Sequence, residues 1–226
     1  MKVSVVIPAY NEEKYIGKAL ESLNKQIVKA DEIIVVDNNC QDDTAIIARK
    51  LGALVVSEEK QGMIHSRNKG FNSARYEIIA RCDADVIVSK NWIKKIKENF
   101  TKKNIDALSG PIFFYDSFLK YALIIPSFIY LEILRIISKG NRYLIGSNMA
   151  LKKETWNRIK KNVSLNDKMV HEDVDLSLHI IKAGGKIGYD NSLVVKSSAR
   201  RIIQQPGSFF LEYPARMIKT LLINKG

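Results

Sequence analysis

Two carboxylates one residue apart, Asp83 and Asp85, follow an apolar run in the segment YEIIARCDADVIV. If the run forms a strand, the pair lies at its carboxyl end and presents hard oxygen ligands from a rigid edge. Mg²⁺ and Mn²⁺ prefer such ligands, and either ion can hold a diphosphate. Asp-x-Asp pairs also occur in turns and helix caps, so their interpretation depends on the residues around them.

Polar residues also follow the first two apolar runs, in PAYNEE (residues 8–13) and DNNCQDD (residues 37–43). Ligands of open α/β sheets bind outside the carboxyl ends of the strands, so these strand ends predict one polar rim. There Asp37 can accept a hydrogen bond from a base imino group such as uracil N3–H, and Tyr10 can stack on a base. Arg67 can reach a phosphate or the edge of the base.

The elements that must position these residues follow from the periodicity of the first half. Short Val/Ile-rich runs alternate with helix-period segments, which predicts βαβ units and a mostly parallel sheet with helices on both faces. Gly52 stands where the second helix needs a left-handed cap, and Asp42, Asp43 and Thr44 offer capping oxygens at its start. The predicted strands are 3–7, 32–37, 54–57 and 77–82, and the predicted helices are 12–24, 43–51, 63–74 and 91–100.

The second half is less regular. It predicts a strand at 107–112, a long apolar helix near 117–138, a helix at 172–183 and a last pair of strands at 186–189 and 193–196. No internal repeat or flexible linker interrupts the chain, so residues 1–200 are expected to form one α/β domain. We expect 1–105 to face a nucleotide, 106–200 to face an acceptor, and 201–226 to form a basic, aromatic tail.

Composition narrows the class of protein. The 226 residues are 46% hydrophobic and 27% charged, and Lys+Arg 36 against Asp+Glu 24 gives a net charge of +12, which attracts polyanions. Two cysteines without metal-type spacing indicate a reducing cytoplasm, and the amino terminus shows no export signal. The longest apolar region, 121–131, is shorter than the ~20 residues of a membrane-spanning helix.

Two nucleotide-binding classes are disfavoured, because the chain has neither G-x-G-x-x-G after its first strand nor G-x-x-x-x-G-K-[ST]. A bound diphosphate would need a metal and basic side chains instead. Downstream, His171, Glu172, Asp173 and Asp175 stand at a predicted helix start, where carboxylates gain from capping and from the helix dipole. A carboxylate held there at the rim of a pocket is also a suitable general base, and the sequence leaves both roles open.

Five segments in order carry a resemblance to a known family: VSVVIPAYNEEKYIGKALESL, DEIIVVDNNCQDDT, SRNKGFNSARYEIIARCDAD, GSNMALKKETW and HEDVDLSLHIIKAGG. Together they resemble the family 2 glycosyltransferases, inverting enzymes with the GT-A fold. The resemblance covers roughly Met1 to Ser197. It implies a nucleotide-diphospho-sugar donor, preferably UDP-linked, a Mn²⁺ or Mg²⁺ ion, and a saccharide or lipid-linked acceptor.

The resemblance also implies roles for individual residues. Asp173 would be the base that deprotonates the acceptor hydroxyl in a single displacement, and Asp83 and Asp85 would ligate the metal. Residues implied around the nucleoside are Pro8, Ala9, Tyr10, Glu12, Asp37 and Arg67; those around ribose, metal and diphosphate are Asp83, Ala84 and Asp85; those on the acceptor side are Gly146, Ser147, Asn148 and Glu172.

One departure from related enzymes is informative. The Gln-x-x-Arg-Trp signature of processive synthases is missing, because neither Trp92 nor Trp156 follows an arginine. We therefore expect one sugar per binding event. Arg200 and Arg201 stand where that signature would be; they either clamp the diphosphate bidentately or form a basic surface patch.

Two stretches of the chain are apolar and aromatic and are edged with Lys and Arg, as expected of helices at a membrane surface: SFLKYALIIPSFIYLEILRIIS and FFLEYPARMIKTLLINKG. They either lie at a lipid interface, form core beneath the acceptor site, or form a homodimer face.

Three other functions compete with the one that the resemblance implies. A polyprenyl-phosphate sugar synthase would differ in its acceptor. A sugar nucleotidyltransferase usually carries a Gly-rich basic loop after its first strand, which PAYNEEKYIG lacks. A non-catalytic basic module for membranes or nucleic acid leaves the carboxylates at three strand ends unexplained, and we expect no nucleic-acid partner.

Overall fold

The computed structural model describes residues 1–116, 142–205 and 207–224. The first half begins with alternating strands and helices, and a two-residue strand precedes its last helix. In chain order these elements are β1 (Val3–Ala9), α1 (Ile16–Asn24), β2 (Glu32–Asp37), α2 (Thr44–Lys50), β3 (Leu54–Ser57), α3 (Met63–Ser73), β4 (Ile78–Arg81), β5 (Ile87–Val88) and α4 (Trp92–Lys102).

The second half combines short strands with helices that cover the sheet. Its described elements are β6 (Ala107–Ser109), β7 (Ile112–Phe114), β8 (Met149–Lys152), α5 (Lys153–Ile159), α6 (Glu172–Lys182), β9 (Ile187–Tyr189), β10 (Val195–Ser197), α7 (Arg200–Gln204), a π-helical turn (Ser208–Glu212) and α8 (Tyr213–Ile223). No helix in the described ranges is both long and apolar enough to cross a membrane.

Seven strands form the main sheet in the order β3-β2-β1-β4-β8-β6-β9, and β5-β10-β7 form a small second sheet. Four neighbouring pairs of the main sheet are parallel, whereas β8 runs antiparallel to both β4 and β6. Consequently the edge that collects the carboxyl ends of β1, β2 and β4 also receives the amino end of β8.

The order of the strands creates a crevice between β1 and β4. β2 and β3 lie on one side of β1, and the chain then crosses to place β4 on the other side, which is the kind of switch point where α/β sheets bind ligands. β1 pairs with β4 only from Val3 to Val6, which lies opposite Arg81. Beyond that pair the two strands part, and β1 continues along β2 through Pro8 and Ala9.

Apolar side chains fill both faces of the main sheet. Along β1, Val3, Val5 and Ile7 pack towards α1 and α4, whereas Val6 packs towards α3, α5 and α6. This alternation follows from the two-residue period of a strand. The two clusters confirm the predicted α/β class with helices on both faces of a mostly parallel sheet.

The predicted strand at 107–112 was wrong as a single element. The chain breaks at Gly110 and Pro111, so that β6 joins the main sheet and β7 the small one. A Cβ on Gly110 would lie 2.2 Å from the carbonyl oxygen of Leu193, so only glycine allows this close approach. Both of the last two predicted strands are present, as β9 and β10, but they belong to different sheets, because β9 lies beside β6 whereas β10 lies between β5 and β7.

The capping predictions for α2 were partly right. Gly52 has a φ of 85° and follows the helix as expected. Asp43 is the N-cap residue, but its side chain makes no capping hydrogen bond; Asp42 instead accepts the N–H of Thr44 at 3.1 Å. The predicted apolar helix near 117–138 lies outside the described residues.

Candidate active site

The loops after β1 and β2 form the first wall of the crevice. Pro8 and Ala9 are buried, whereas Tyr10 is 48% exposed and is free to meet a ligand. Asn11, with a φ of 53°, accepts the N–H of Gln41 at 2.8 Å and so ties the two loops together. Asp37 is half-buried and accepts the N–H of Cys40 at 2.9 Å, which orders the turn after β2.

Asp83 and Asp85 follow β4 on the other side of the crevice. Asp83 accepts the hydroxyl of Ser147 on Oδ2 at 2.6 Å and lies 3.3 Å from the Arg81 guanidinium through Oδ1. Asp85 is 6% exposed and lies 3.3 Å from Nε of Arg200. Ala84, between them, is buried.

Arg200 brings a cation to this rim from α7. Its Nη2 bonds both carboxylate oxygens of Glu12, its Nε contacts Asp85, and its guanidinium stacks over the Tyr15 ring at 4.0 Å. A cavity of about 300 Å³ adjoins it, lined by Asn11, Glu13, Lys14, Tyr15, Asp42, Arg200 and Gln204. The side chain of Arg201 lies outside the described part of the chain.

Glu172 is held by two buried arginines. Arg81 bonds Oε1 of Glu172, and Nη1 of Arg67 lies 3.1 Å from the same oxygen. Arg67 also bonds Asn68 and lies over the Trp156 ring at 5.9 Å. Arg67 therefore lies next to α6, and among the described residues it makes no hydrogen bond or ion pair with the loops after β1 and β2.

Asp173 has a different environment from its neighbour. The N–H of Gly146 bonds Oδ2 at 2.8 Å, and Arg81 lies 3.8 Å from Oδ1. Oδ1 is buried and has no hydrogen-bond partner among the described residues. Burial, and then the charge of Glu172, raise the pKa of Asp173 to about 7, against the opposing effects of Arg81 and the Gly146 N–H. This carboxylate can therefore exchange a proton near neutral pH.

The antiparallel strand β8 explains how residues 146–148 reach the rim. They precede β8, and its amino end lies where the parallel strands end. Asn148 is fully buried: its Oδ1 accepts the Trp92 indole N–H at 2.9 Å, and its Nδ2 donates to Leu193 and Pro111. Asn148 thus holds the framework, whereas Gly146 and Ser147 contact the carboxylates.

The donor set at the rim fits a divalent cation. Asp83 and Asp85 offer hard oxygen ligands, and Asp85 already faces a positive charge, the Arg200 guanidinium at 3.3 Å. Within the described ranges no three His, Cys, Asp or Glu side chains cluster as a complete metal cage. Two carboxylates, completed by diphosphate oxygens and water, are the usual protein contribution to a Mg²⁺ or Mn²⁺ site of this kind.

Sequence reasoning missed Arg81, although the structure places it at the centre of the site. It ends β4, and an arginine at the end of an apolar run ordinarily indicates a solvent-exposed strand end. The only signal was its position two residues before Asp83. The structure thus brings Asp83, Glu172 and Asp173 around one guanidinium, and Glu12 and Asp85 around another.

Solved structures share this architecture. The chain superposes with a TM-score of 0.76 on the mannosyltransferase PcManGT from Pyrobaculum calidifontis in complex with GDP-Man and Mn²⁺, at 20% identity, covering 100% of this chain and 65% of that one. The TM-score is 0.71 with glucosyl-3-phosphoglycerate synthase from Mycobacterium tuberculosis in complex with Mn²⁺, UDP and phosphoglyceric acid, at 20% identity, covering 100% of this chain and 78% of that one. The fold is GT-A.

Sequence comparison gives the family. The chain is 30% identical over 148 residues to Glycosyltransferase AglE of Haloferax volcanii, a match that covers 62% of this chain and 49% of that protein. It is 31% identical over 120 residues to Glycosyltransferase GlyG of Streptococcus pneumoniae, covering 50% of this chain and 40% of that protein. The matches thus span half or less of these relatives. The profile described as Glycosyl transferase family 2 matches residues 4–159, more than half of the chain, and the chain therefore belongs to glycosyl transferase family 2.

Proposed function

We propose that the protein is an inverting, metal-dependent glycosyltransferase that moves one sugar per binding event from a UDP-linked donor to an acceptor hydroxyl. The observation that carries the proposal is the position of Asp173. This half-buried carboxylate, whose Oδ1 accepts no hydrogen bond among the described residues, shares the Arg81 guanidinium with Asp83, at the crevice between β1 and β4. Base and donor site are therefore adjacent.

The donor is proposed to lie along the rim. Tyr10 would stack on the base, Asp37 would accept the base imino N–H, and Pro8, Ala9 and Glu12 would shape the nucleoside wall. Asp83 and Asp85 would hold Mn²⁺ or Mg²⁺, which when bound offsets the charge that develops on the departing diphosphate. Support comes from PcManGT and the mycobacterial synthase, whose structures contain a nucleotide and Mn²⁺.

Catalysis by the chain's own residues would centre on Asp173. The Gly146 N–H fixes Oδ2 and Oδ1 faces Arg81, and the carboxylate so oriented would take the proton of the acceptor hydroxyl. The freed oxygen would attack the anomeric carbon from the face opposite the leaving diphosphate, and this geometry inverts the configuration. Glu172 is not the base in this proposal, because two guanidinium groups, those of Arg67 and Arg81, compensate its negative charge.

The acceptor is proposed to enter on the Gly146–Ser147 side and to be a saccharide or a lipid-linked sugar. Polyprenyl phosphate is the alternative acceptor. We also propose that the protein works at the cytoplasmic face of a membrane, because α8 leaves Ile218, Leu222 and Ile223 more than half exposed on a chain of net charge +12.

The decisive experiment compares the wild-type protein with Asp85→Ala in a thermal-shift panel of nucleotide sugars, with and without Mn²⁺. A ligand at 100 times its dissociation constant stabilises a fold by about 2.7 kcal/mol. We expect a Mn²⁺-dependent shift with one or more UDP-sugars, and its loss in Asp85→Ala. Equal shifts in both proteins, or sugar transfer that survives EDTA and the substitution together, would contradict the proposed site.

A further inference from the structure

Arg81 contacts carboxylates from both halves of the site. Its side chain is 2% exposed and extends from the end of β4. Nη2 lies 3.3 Å from Oδ1 of Asp83, Nη1 bonds Glu172, and Nη1 lies 3.8 Å from Oδ1 of Asp173. One planar group thus touches the donor-side carboxylate and the proposed base.

We infer that Arg81 is a positioning residue that fixes the base Asp173 relative to the donor-side carboxylate Asp83. The inference rests on the proposed function, since it presumes that Asp173 takes the acceptor proton. Arg81 itself is not expected to touch the substrate.

The energetics disfavour a purely structural role. Burying a guanidinium is costly even when it is paired, and an apolar residue of similar volume often serves stability as well or better. The preceding strand residues, Ile78, Ile79 and Ala80, are apolar, and Arg67 already pairs with Glu172. Nε of Arg81 is moreover buried without a hydrogen-bond partner among the described residues, which adds to the cost.

The turn before β8 connects the same two carboxylates, Asp83 and Asp173, that Arg81 connects. In the turn before β8, the Gly146 N–H bonds Oδ2 of Asp173 at 2.8 Å and the Ser147 hydroxyl bonds Oδ2 of Asp83 at 2.6 Å. Each carboxylate therefore faces Arg81 through Oδ1 and this turn through Oδ2. Such a double hold fixes the direction of each carboxylate as well as its position.

The inference predicts an unequal effect on binding and turnover. Arg81→Lys keeps the positive charge, but a single ammonium group cannot span three carboxylates as a planar guanidinium does. Donor binding depends on Asp85, which Arg81 does not contact among the described residues, and on Asp83, which keeps the Ser147 hydroxyl on Oδ2 in the variant. The orientation of Asp173 should suffer, and a misplacement of about 1 Å can cost ~10²-fold in rate.

Arg67→Lys is the matched control for loss of buried ion pairing. Arg67 is equally buried and pairs with the same oxygen of Glu172. Among the described residues it hydrogen-bonds only Glu172 on α6 and Asn68 on α3, and not Asp83 or Asp173. We expect both substitutions to lower the melting temperature to a similar degree.

The test uses the purified chain, Mn²⁺ and the nucleotide sugar that gives the largest thermal shift, with water as the acceptor. We expect Arg81→Lys to lose ~10²-fold in kcat for donor hydrolysis, with KM and the Mn²⁺–UDP dissociation constant changed by less than about threefold. The loss in Arg67→Lys should be about tenfold smaller or less. If Arg81→Lys does not fold, Arg81→Gln is measured in the same way.

Two outcomes would overturn the inference: kcat of the folded Arg81 variant within about threefold of wild type, or equal kcat losses in the Arg81 and Arg67 variants. Asp173→Asn and Asp85→Ala, measured in parallel, report on the proposed function itself. If Asp173→Asn turns over normally, the proposed function fails whatever Arg81 does; if only the Arg81 variant is normal, the inference alone fails.

Discussion

Adjacent carboxylates at the start of α6 have different environments. Glu172 shares one oxygen between two arginines, so its negative charge is well compensated. Asp173 is half-buried with a single backbone hydrogen bond, and desolvation and the neighbouring charge of Glu172 oppose its ionisation. The sequence shows only that the two residues are neighbours; it does not show which of them the arginines reach.

Replacement of Asp173 by asparagine removes the proposed base and keeps the size of the side chain. We expect kcat to fall by ~10²–10⁴-fold, the usual contribution of general-base catalysis, with donor affinity nearly unchanged. Asp173 must be ionised to act, so wild-type kcat should rise as the pH increases through about 7, the value to which burial raises its pKa. A variant with near-normal turnover, or a flat pH profile of kcat from pH 5 to 9, would transfer the role to another group.

Removal of the Arg200 side chain is expected to raise the affinity for Mn²⁺ alone and to lower the affinity for the Mn²⁺–UDP complex. Its guanidinium neutralises Glu12 and Asp85, so Arg200→Ala should let Mn²⁺ alone bind more tightly, as measured by the EPR signal of the free ion. The same variant should bind the Mn²⁺–UDP complex more weakly, because an arginine that could pair with the diphosphate is lost.

Arg142→Ala is the matched control for Arg200→Ala. Arg142 lies over the Tyr189 ring at 4.9 Å, as Arg200 lies over Tyr15, and its loss changes the net charge equally. Weaker binding of Mn²⁺ alone in Arg200→Ala would show that Arg200 organises the two carboxylates rather than competing with the metal.

At the scale of elements, the turn before β8 carries a steric constraint. A Cβ on Gly146 would lie 2.6 Å from Oδ1 of Asp173 and 3.1 Å from Nη2 of Arg81, so one of these groups must move. We expect Gly146→Ala to lower kcat by ~10–10²-fold through displacement of the base, with the fold retained.

Gly17→Ala provides the control for that substitution. Gly17 lies in α1, and its Cβ would meet only Ile47, at the ordinary contact distance of 3.9 Å. Alanine should stabilise this helix slightly and leave kcat unchanged. Equal kinetics in Gly146→Ala and wild type would show that Asp173 tolerates displacement.

The sequence predicted the first half well, since every strand and helix there except β5 has its own period. The observed β2 and β3 match the predicted bounds, and α3 and α4 deviate by at most two residues. β5 and β8 were not predicted, because strands of two and four residues are too short to show a clear period. They are strands because they pair with segments that are distant in the sequence. For the same reason the contacts of Gly146, Ser147 and Arg81 with the carboxylates could not be read from local pattern.

At the scale of the whole molecule, α8 has two different faces. Met217 and Thr220 are buried against α6, and Thr220 accepts the N–H of His171 at 2.7 Å, next to Glu172. The opposite face exposes Ile218, Leu222 and Ile223. Removing residues 205–226 would therefore damage the start of α6, and substitutions on the outer face are the better test of membrane binding.

We expect the protein to float with anionic vesicles at low salt and to be released as salt rises, since each basic residue near the surface can contribute about 1 kcal/mol. The double variant Ile218→Glu/Leu222→Glu should lose this binding. Ile27→Glu/Ile46→Glu, which adds equal charge at exposed positions elsewhere, should lose much less.

Two results would contradict this prediction. Equal flotation of the two double variants would exclude α8 as the contact. A wild-type protein that ignores anionic vesicles but elutes as a dimer, with the α8 variant eluting as a monomer, would identify the outer face as a subunit interface.

Pro8 limits the pairing of β1 with β4 and so keeps the crevice between them open. The Ala9 carbonyl bonds the chain after β2, and that of Val6 bonds Cys82, so by the alternation along a strand the nitrogen of Pro8 faces the β4 side. Proline has no N–H to offer there, and β4 cannot continue its ladder along β1. The opening is thus set by the main chain and by one imino acid, whatever side chains line it. Substitutions of Tyr10, Asp37 or Arg200, in evolution or in a directed-evolution library, can therefore change which donor is bound without changing the opening between β1 and β4.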